Sequence, residues 1–132
     1  MKYKLIVSDY DGTTAIGGTV NEKVISAIKR YRDNGGKFVF CTGRHAISIK
    51  EVIESNGIEV DGLITLQGAY AEVDNEVVID GGLNEKTVID ILNDAHSFGI
   101  KGAIWQKDKL FYEDDEGARK YAGFFNGKIE TV

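Results

Sequence analysis

The stretch Leu5-Ile6-Val7-Ser8-Asp9-Tyr10-Asp11-Gly12-Thr13 decides the fold. An apolar run ends in two carboxylates two residues apart, and a glycine follows at once. Tyr3 to Ser8 reads as a β-strand, and its lack of alternation predicts cover on both faces. In open α/β sheets, ligands bind at the C-terminal ends of the strands. Two ionised acids there need a partner, a metal or water, because a bare core does not hold them. Mg2+ suits the pair, since it takes one or two carboxylates and keeps several waters. In such a setting one Asp is a candidate nucleophile toward phosphorus, and the other a candidate proton donor and acceptor. Asp9 ends the strand and is held most rigidly, so the nucleophile is assigned to it and the acid/base role to Asp11. Gly12 permits a tight turn, and Thr13 is expected to brace it.

A second segment has the same form. Phe38-Val39-Phe40-Cys41 is again continuously apolar, and Thr42-Gly43-Arg44 follows it. A hydroxyl, free N–H groups at a helix start and a guanidinium together suit a phosphoryl group. Thr42 also has the composition of an N-cap for the next helix. Between the two strands, Thr13 to Val20 reads as a small flap. Asn21 then caps a helix marked by Val24, Ile25, Ile28 and Tyr31, which Gly35-Gly36 stops. Ala46, Ile49, Val52 and Ile53 mark a second helix ending at Asn56-Gly57, and Gly62 to Leu66 a third strand. This β-α-β-α-β order predicts a Rossmann-like parallel sheet with helices on both faces.

The strand followed by Asp9-Tyr10-Asp11-Gly12-Thr13, with the strand followed by Thr42-Gly43-Arg44, resembles motifs I and II of the haloacid dehalogenase (HAD) superfamily. The chain is most similar to its Cof-type phosphatases, which carry an inserted α/β cap. Gln67-Gly68-Ala69 stands where that subgroup usually has Asn-Gly-Ala. The resemblance implies a Mg2+-dependent phosphomonoesterase working through an aspartyl-phosphate on a small phosphorylated metabolite such as a sugar phosphate. It further implies Asp9 and Asp11 at the metal, with Gly12, Thr42, Gly43 and Arg44 at the phosphate. The family's later lysine and Gly-Asp motif are not found, so the chain is expected to be an N-terminal portion: a core over residues 1–80 and part of a cap over 81–132. An incomplete sheet would leave an edge uncovered and invite self-association.

Composition sets outer bounds. With 132 residues, 42% hydrophobic and 28% charged, the chain is globular and one domain's worth in size. The net charge of −5 and the lack of a basic block argue against nucleic acid. A single cysteine excludes an internal disulfide and suits the cytoplasm. No apolar stretch approaches the ~18 residues of a membrane span. The sequence contains no proline, for which there is no physical account.

Beyond residue 70 the rhythm changes. Tyr70–Val73 and Val77–Ile79 read as a hairpin around Asp74-Asn75-Glu76. Asn84 caps a helix with Val88, Ile91, Leu92, Ala95 and Phe98. A second hairpin is expected around 107–109, and a last helix over 117–125. Cys41 is read as a buried-strand thiol, since a tyrosine-phosphatase loop needs more than three residues between cysteine and arginine. His45 is expected in solvent, and His96 in a structural role within its helix. Gly81-Gly82 to Lys86-Thr87 falls short of a Walker loop, because no glycine precedes the lysine. Lys86 with the acids of 113–116 offers a rival reading, a complete capless enzyme. A further rival is a receiver-like phosphoacceptor or non-catalytic regulatory domain. Receivers place the phosphoacceptor after the third strand, however, and here Gln67 follows Leu66.

Overall fold

The computed structural model describes residues 2–105, 109–113, 116 and 128–131. The chain divides into two compact units, Met1–Gly81 and Gly82–Val132. The first contains β1 (Leu5–Ser8), the small hairpin β2 (Ala15–Ile16) and β3 (Thr19–Val20), α1 (Glu22–Asp33), β4 (Lys37–Cys41), α2 (Ala46–Ser55), β5 (Gly62–Thr65), β6 (Tyr70–Val73) and β7 (Glu76–Asp80). Five of the strands form one sheet in the order β1-β4-β5-β6-β7. The first three run parallel, as the β-α-β-α-β rhythm predicts. The Tyr70–Val73 hairpin joins the same sheet, with β6 antiparallel to β5 and β7 antiparallel to β6. Its turn, Asp74-Asn75, has positive φ at both residues, as a two-residue hairpin turn requires.

The ends of α1 follow local chemistry. The Asn21 side chain accepts the Lys23 N–H, and Glu22 lies in the first turn, where the helix dipole favours an anion. Gly35, at φ +82°, takes the left-handed conformation that ends the helix.

Register determines which side of the sheet is packed. Ile6 pairs with Phe38, Ser8 with Phe40, and Phe40 with Leu63, so these residues share a face. Phe38, Phe40 and Leu63 form one buried cluster with Ile28 of α1, Ile49 of α2, Tyr10, Ala15, Val20 and Ile58. Both helices of this unit therefore pack on one face. The opposite face carries Leu5, Val7, Val39, Cys41 and Ile64. Leu5 is 54% and Val7 51% exposed. The expectation that β1 is covered on both sides is thus corrected: among the described residues it is an edge strand paired with β4 alone, and a continuous apolar run does not reveal that. Cys41, expected to be buried, lies exposed on the same bare face.

At the opposite end of the strands from Asp9, Asp61 ties three elements together. Its carboxylate accepts the Phe38 N–H at 2.9 Å, Arg32 Nε at 2.9 Å and Lys37 Nζ at 2.8 Å. The Arg32 hydrogen bond, reinforced by Lys37 and the backbone donor, holds this carboxyl well below the usual carboxylate range.

The second unit contains α3 (Glu85–Ser97), β8 (Ala103–Trp105), β9 (Lys109–Tyr112) and β10 (Lys128–Thr131). Its sheet runs β10-β9-β8, with β8 and β9 antiparallel and β9 and β10 parallel. Asn84 caps α3 through the Thr87 N–H. His96, in the last turn of α3, contacts both carboxylate oxygens of Glu113 at 2.8 and 2.9 Å. Lys86 pairs with Asp90 one turn along the same helix. Residues 107–108, Asp114 and Asp115, and the helix expected over 117–125 lie outside the described residues.

Candidate active site

The parallel register brings three strand ends to one edge of the sheet. Ser8 lies beside Phe40, and Cys41 beside Ile64. Asp9, Thr42 and Leu66 therefore begin three neighbouring loops at the C-terminal ends of β1, β4 and β5, where this architecture places ligands.

Side-chain alternation orients the first loop. Tyr10 points inward and is fully buried, with its ring edge-on to Phe40 at 5.7 Å. Its two neighbours Asp9 and Asp11 are exposed. Burial raises the Tyr10 phenol above its ordinary value. Thr14 Oγ1 donates to the Asp9 carbonyl at 2.7 Å and meets Ser8 Oγ at 2.9 Å. The brace expected of Thr13 is therefore supplied by Thr14, which is buried and one residue further on. The Tyr10 carbonyl accepts the Ala15 N–H at 2.8 Å, and Gly12 turns at φ +76°, a conformation that favours glycine. Asp9 Oδ1 accepts the Tyr10 N–H at 2.7 Å. Its other oxygen makes no hydrogen bond among the described residues.

The second loop reaches the first through Arg44. Its Nε and one Nη donate to the two oxygens of Asp11 at 2.6 and 2.8 Å, a bidentate pair. The guanidinium also lies over the Tyr10 ring, 4.7 Å from its centroid. The hydrogen bond to Asp11 raises the Arg44 pKa, so the side chain is a permanent cation. Sequence reading placed Asp11 and Arg44 in one site but missed that they bind each other, because 33 residues separate them.

Thr42 is 4% exposed, and its Oγ1 accepts the Arg44 N–H at 3.2 Å. It does not cap α2. His45 does so, accepting the Ile47 N–H on Nδ1 at 3.3 Å. At 1% exposure His45 is buried, which corrects its expected place in solvent. The signal available in sequence was its position just before the apolar stripe of α2. Thr42 N donates to the Ile64 carbonyl and Leu66 N to the Arg44 carbonyl, so the β5 loop braces the Thr42-Gly43-Arg44 loop from the far side.

Mg2+ needs one or two carboxylates together with waters and substrate oxygens. One free oxygen on Asp9 and the main chain of the same loop fit that need. The Asp11 carboxylate is engaged by Arg44. Among the described residues no group of three or more acidic, histidine or cysteine side chains gathers as a metal cage.

The family model for haloacid dehalogenase-like hydrolases matches residues 6–131. The chain belongs to this family. Solved structures agree with that assignment. A haloacid dehalogenase-like hydrolase from B. subtilis is similar at TM-score 0.79 and 21% identity, covering 91% of this chain and 42% of its own. A phosphatase of the HAD superfamily from Bacteroides thetaiotaomicron matches at TM-score 0.77 and 25% identity, over 98% of this chain and 49% of its own. A HAD subclass IIB sugar phosphatase matches at TM-score 0.77 and 25% identity, over 98% and 52%. The chain thus spans about half the length of the solved structures it matches. No curated protein sequence matches it significantly. Among the described residues, no helix is long and apolar enough to cross a membrane.

Proposed function

We propose that this haloacid dehalogenase-like hydrolase is a Mg2+-dependent phosphomonoesterase acting on a small phosphorylated metabolite, of the sugar-phosphate class. The observation that carries the reading is the Arg44–Asp11 pair. It joins the loop after β1 to the loop after β4 and makes the two motifs one site.

The chemistry follows from that placement. Asp9 Oδ2, left free while Oδ1 holds the Tyr10 N–H, attacks phosphorus. An Asp9 O–P bond forms as the ester P–O bond breaks, and Asp11 gives the departing alcohol oxygen its proton. Water then attacks the phosphorus of the aspartyl-phosphate, Asp11 takes a proton from that water, and inorganic phosphate leaves with Asp9 regenerated. Thr42 Oγ1 and the Gly43 N–H hold phosphoryl oxygens, whereas the Gly12 N–H, expected to join them, is taken by the Ala15 carbonyl at 2.8 Å. Asp9 and the Asp11 main chain would hold Mg2+, which would supply charge neutralisation. Asp11 cannot give up a proton while it accepts two hydrogen bonds from Arg44, since an ionised carboxylate is an acceptor only. A phosphoryl dianion offers Arg44 a stronger bidentate partner than Asp11 does. Substrate binding therefore draws Arg44 onto phosphate, and the freed Asp11 carboxylate takes a proton from solvent, which it then passes to the departing alcohol oxygen.

The same reading assigns the second unit to a partial cap and, with no basic block, gives nucleic acid no place among the partners. The unpaired edge of β1 and the bare face beside it favour self-association.

The test is phosphate release from p-nitrophenyl phosphate with Mg2+, with excess EDTA and with Asp9→Asn. The asparagine carbonyl still accepts the Tyr10 N–H, so the fold is expected to persist while turnover disappears. Undiminished turnover in Asp9→Asn removes Asp9 from the nucleophile role. Stable labelling by a small phosphodonor without release favours the phosphoacceptor reading instead.

A further inference from the structure

The end of β5 concentrates conformational cost in three consecutive residues. Thr65 is fully buried, yet its Oγ1 makes no hydrogen bond among the described residues. Leu66 and Gln67 follow at φ 50° and 57°, in the left-handed region that a Cβ disfavours. Such costs persist where the surroundings over-determine the conformation, and they gather at binding sites.

The reversal places the Gln67 side chain back against the neighbouring loop. A methyl group built on Gly43 would stand 2.6 Å from Gln67 Nε2. Gly43 is not at positive φ, so its backbone would accept alanine, and the added methyl group would displace the exposed Gln67 amide. Gln67 is itself exposed, and its carboxamide makes no hydrogen bond among the described residues. An unengaged amide donor thus lies flush against the middle residue of Thr42-Gly43-Arg44. Arg44, the next residue of that loop, carries a guanidinium that pairs with Asp11, and amide and guanidinium donors together suit a ligand rich in anionic oxygens.

We propose that Gln67 contacts substrate, its amide N–H donating to a phosphoryl oxygen held over Thr42-Gly43-Arg44. This rests on the phosphomonoesterase reading above. It gives the strained turn a purpose, because continued extension of β5 would carry the side chain away from Gly43.

Four forms of the 132-residue chain test this: wild type, Gln67→Gly, Gly43→Ala and the double variant. Each is titrated with inorganic phosphate in the presence of Mg2+ and followed by calorimetry, with melting temperature measured alongside. Gln67→Gly is expected to weaken phosphate about tenfold, the scale of one hydrogen bond to a charged group. Its melting temperature should hold or rise, since glycine takes the left-handed conformation without penalty. Gly43→Ala should lose a similar factor, because the methyl group displaces the amide. The double variant should be no weaker than either single one, the mark of one shared interaction. Unchanged affinity in Gln67→Gly, or losses that multiply in the double variant, would overturn the inference and leave the phosphatase reading standing. A fall in affinity that tracks a fall in melting temperature would show a bracing role only and overturn it as well. Phosphate ignored by all four chains would overturn both.

Discussion

Replacing Arg44 by lysine separates what the Arg44–Asp11 pair does for stability from what it does for chemistry. Lysine keeps the positive charge and most of the length, but it is a point donor and cannot form the fork that spans both Asp11 oxygens. The stability effect is small. The two side chains are 27% and 53% exposed, and pairs of that kind contribute about 0.2–1 kcal/mol. Stacking on Tyr10 at 4.7 Å adds about 0.5–1 kcal/mol at a partly exposed site. A total under about 2 kcal/mol lowers the melting temperature by only several degrees in a chain of this size. The chemical effect is larger. A charge-assisted contact to the phosphoryl group amounts to about 1.5–3 kcal/mol, roughly tenfold to a hundredfold in kcat/KM. Misplacing the acid/base carboxylate adds a share of the ~100- to 10,000-fold that such catalysis supplies. Arg44→Lys is therefore expected to remain folded by circular dichroism, melt within several degrees of wild type, and lose at least tenfold in kcat/KM on p-nitrophenyl phosphate. Wild-type kcat/KM in the variant would refute the reasoning. A collapse in melting temperature would do the same, by showing that the pair is chiefly structural.

Two further outcomes are expected. Asp61 has a folded pKa below its ordinary value near 3.8, so its contribution is fully present above about pH 4 and is lost as the pH falls toward the folded value. Asp61→Asn should cost about 2 kcal/mol at neutral pH and flatten the acid limb of stability in urea titrations from pH 6 to 2.5; an unchanged limb would assign acid unfolding to other groups. Val7→Lys places a charge on the bare face of the edge strand, a natural device against edge pairing, and should shift the chain toward monomer in sedimentation velocity. A monomeric wild type, or an unmoved distribution in the variant, would discard association through this edge.

Sequence showed what is local. The Asn21 and Asn84 caps, the Gly35 stop and the Asp74-Asn75 turn each depend on residues within a few positions of one another, and they appear in the structure where the pattern placed them. The alignment of Asp9 with Thr42 was also legible, because parallel strands bring like ends together. Contacts across the fold were not. Nothing near Asp61 announces that Arg32 and Lys37 will close on it, and nothing near Arg44 points to Asp11. Periodicity failed at β1 for a different reason. A run of Leu, Ile and Val marks a strand, but its cover depends on how many elements the remaining chain lays over it. His45 escaped because histidine is a rare cap, and only the Ile47 N–H bond to its Nδ1 shows that its ring is turned toward the helix start.

β1 leads into Asp9 and, among the described residues, is hydrogen-bonded along one side only. Every other strand that feeds the site has a neighbour on each flank. Asp9, the proposed nucleophile, therefore rides on the strand whose release needs the fewest bonds to break, and its time in register sets a duty cycle for the whole site. Amide exchange at Ile6 and Val7 is expected to outpace that at Phe38 and Phe40. A strand paired onto the free flank of β1 is expected to slow that exchange and hold Asp9 in register. It lengthens the fraction of time Asp9 spends in place.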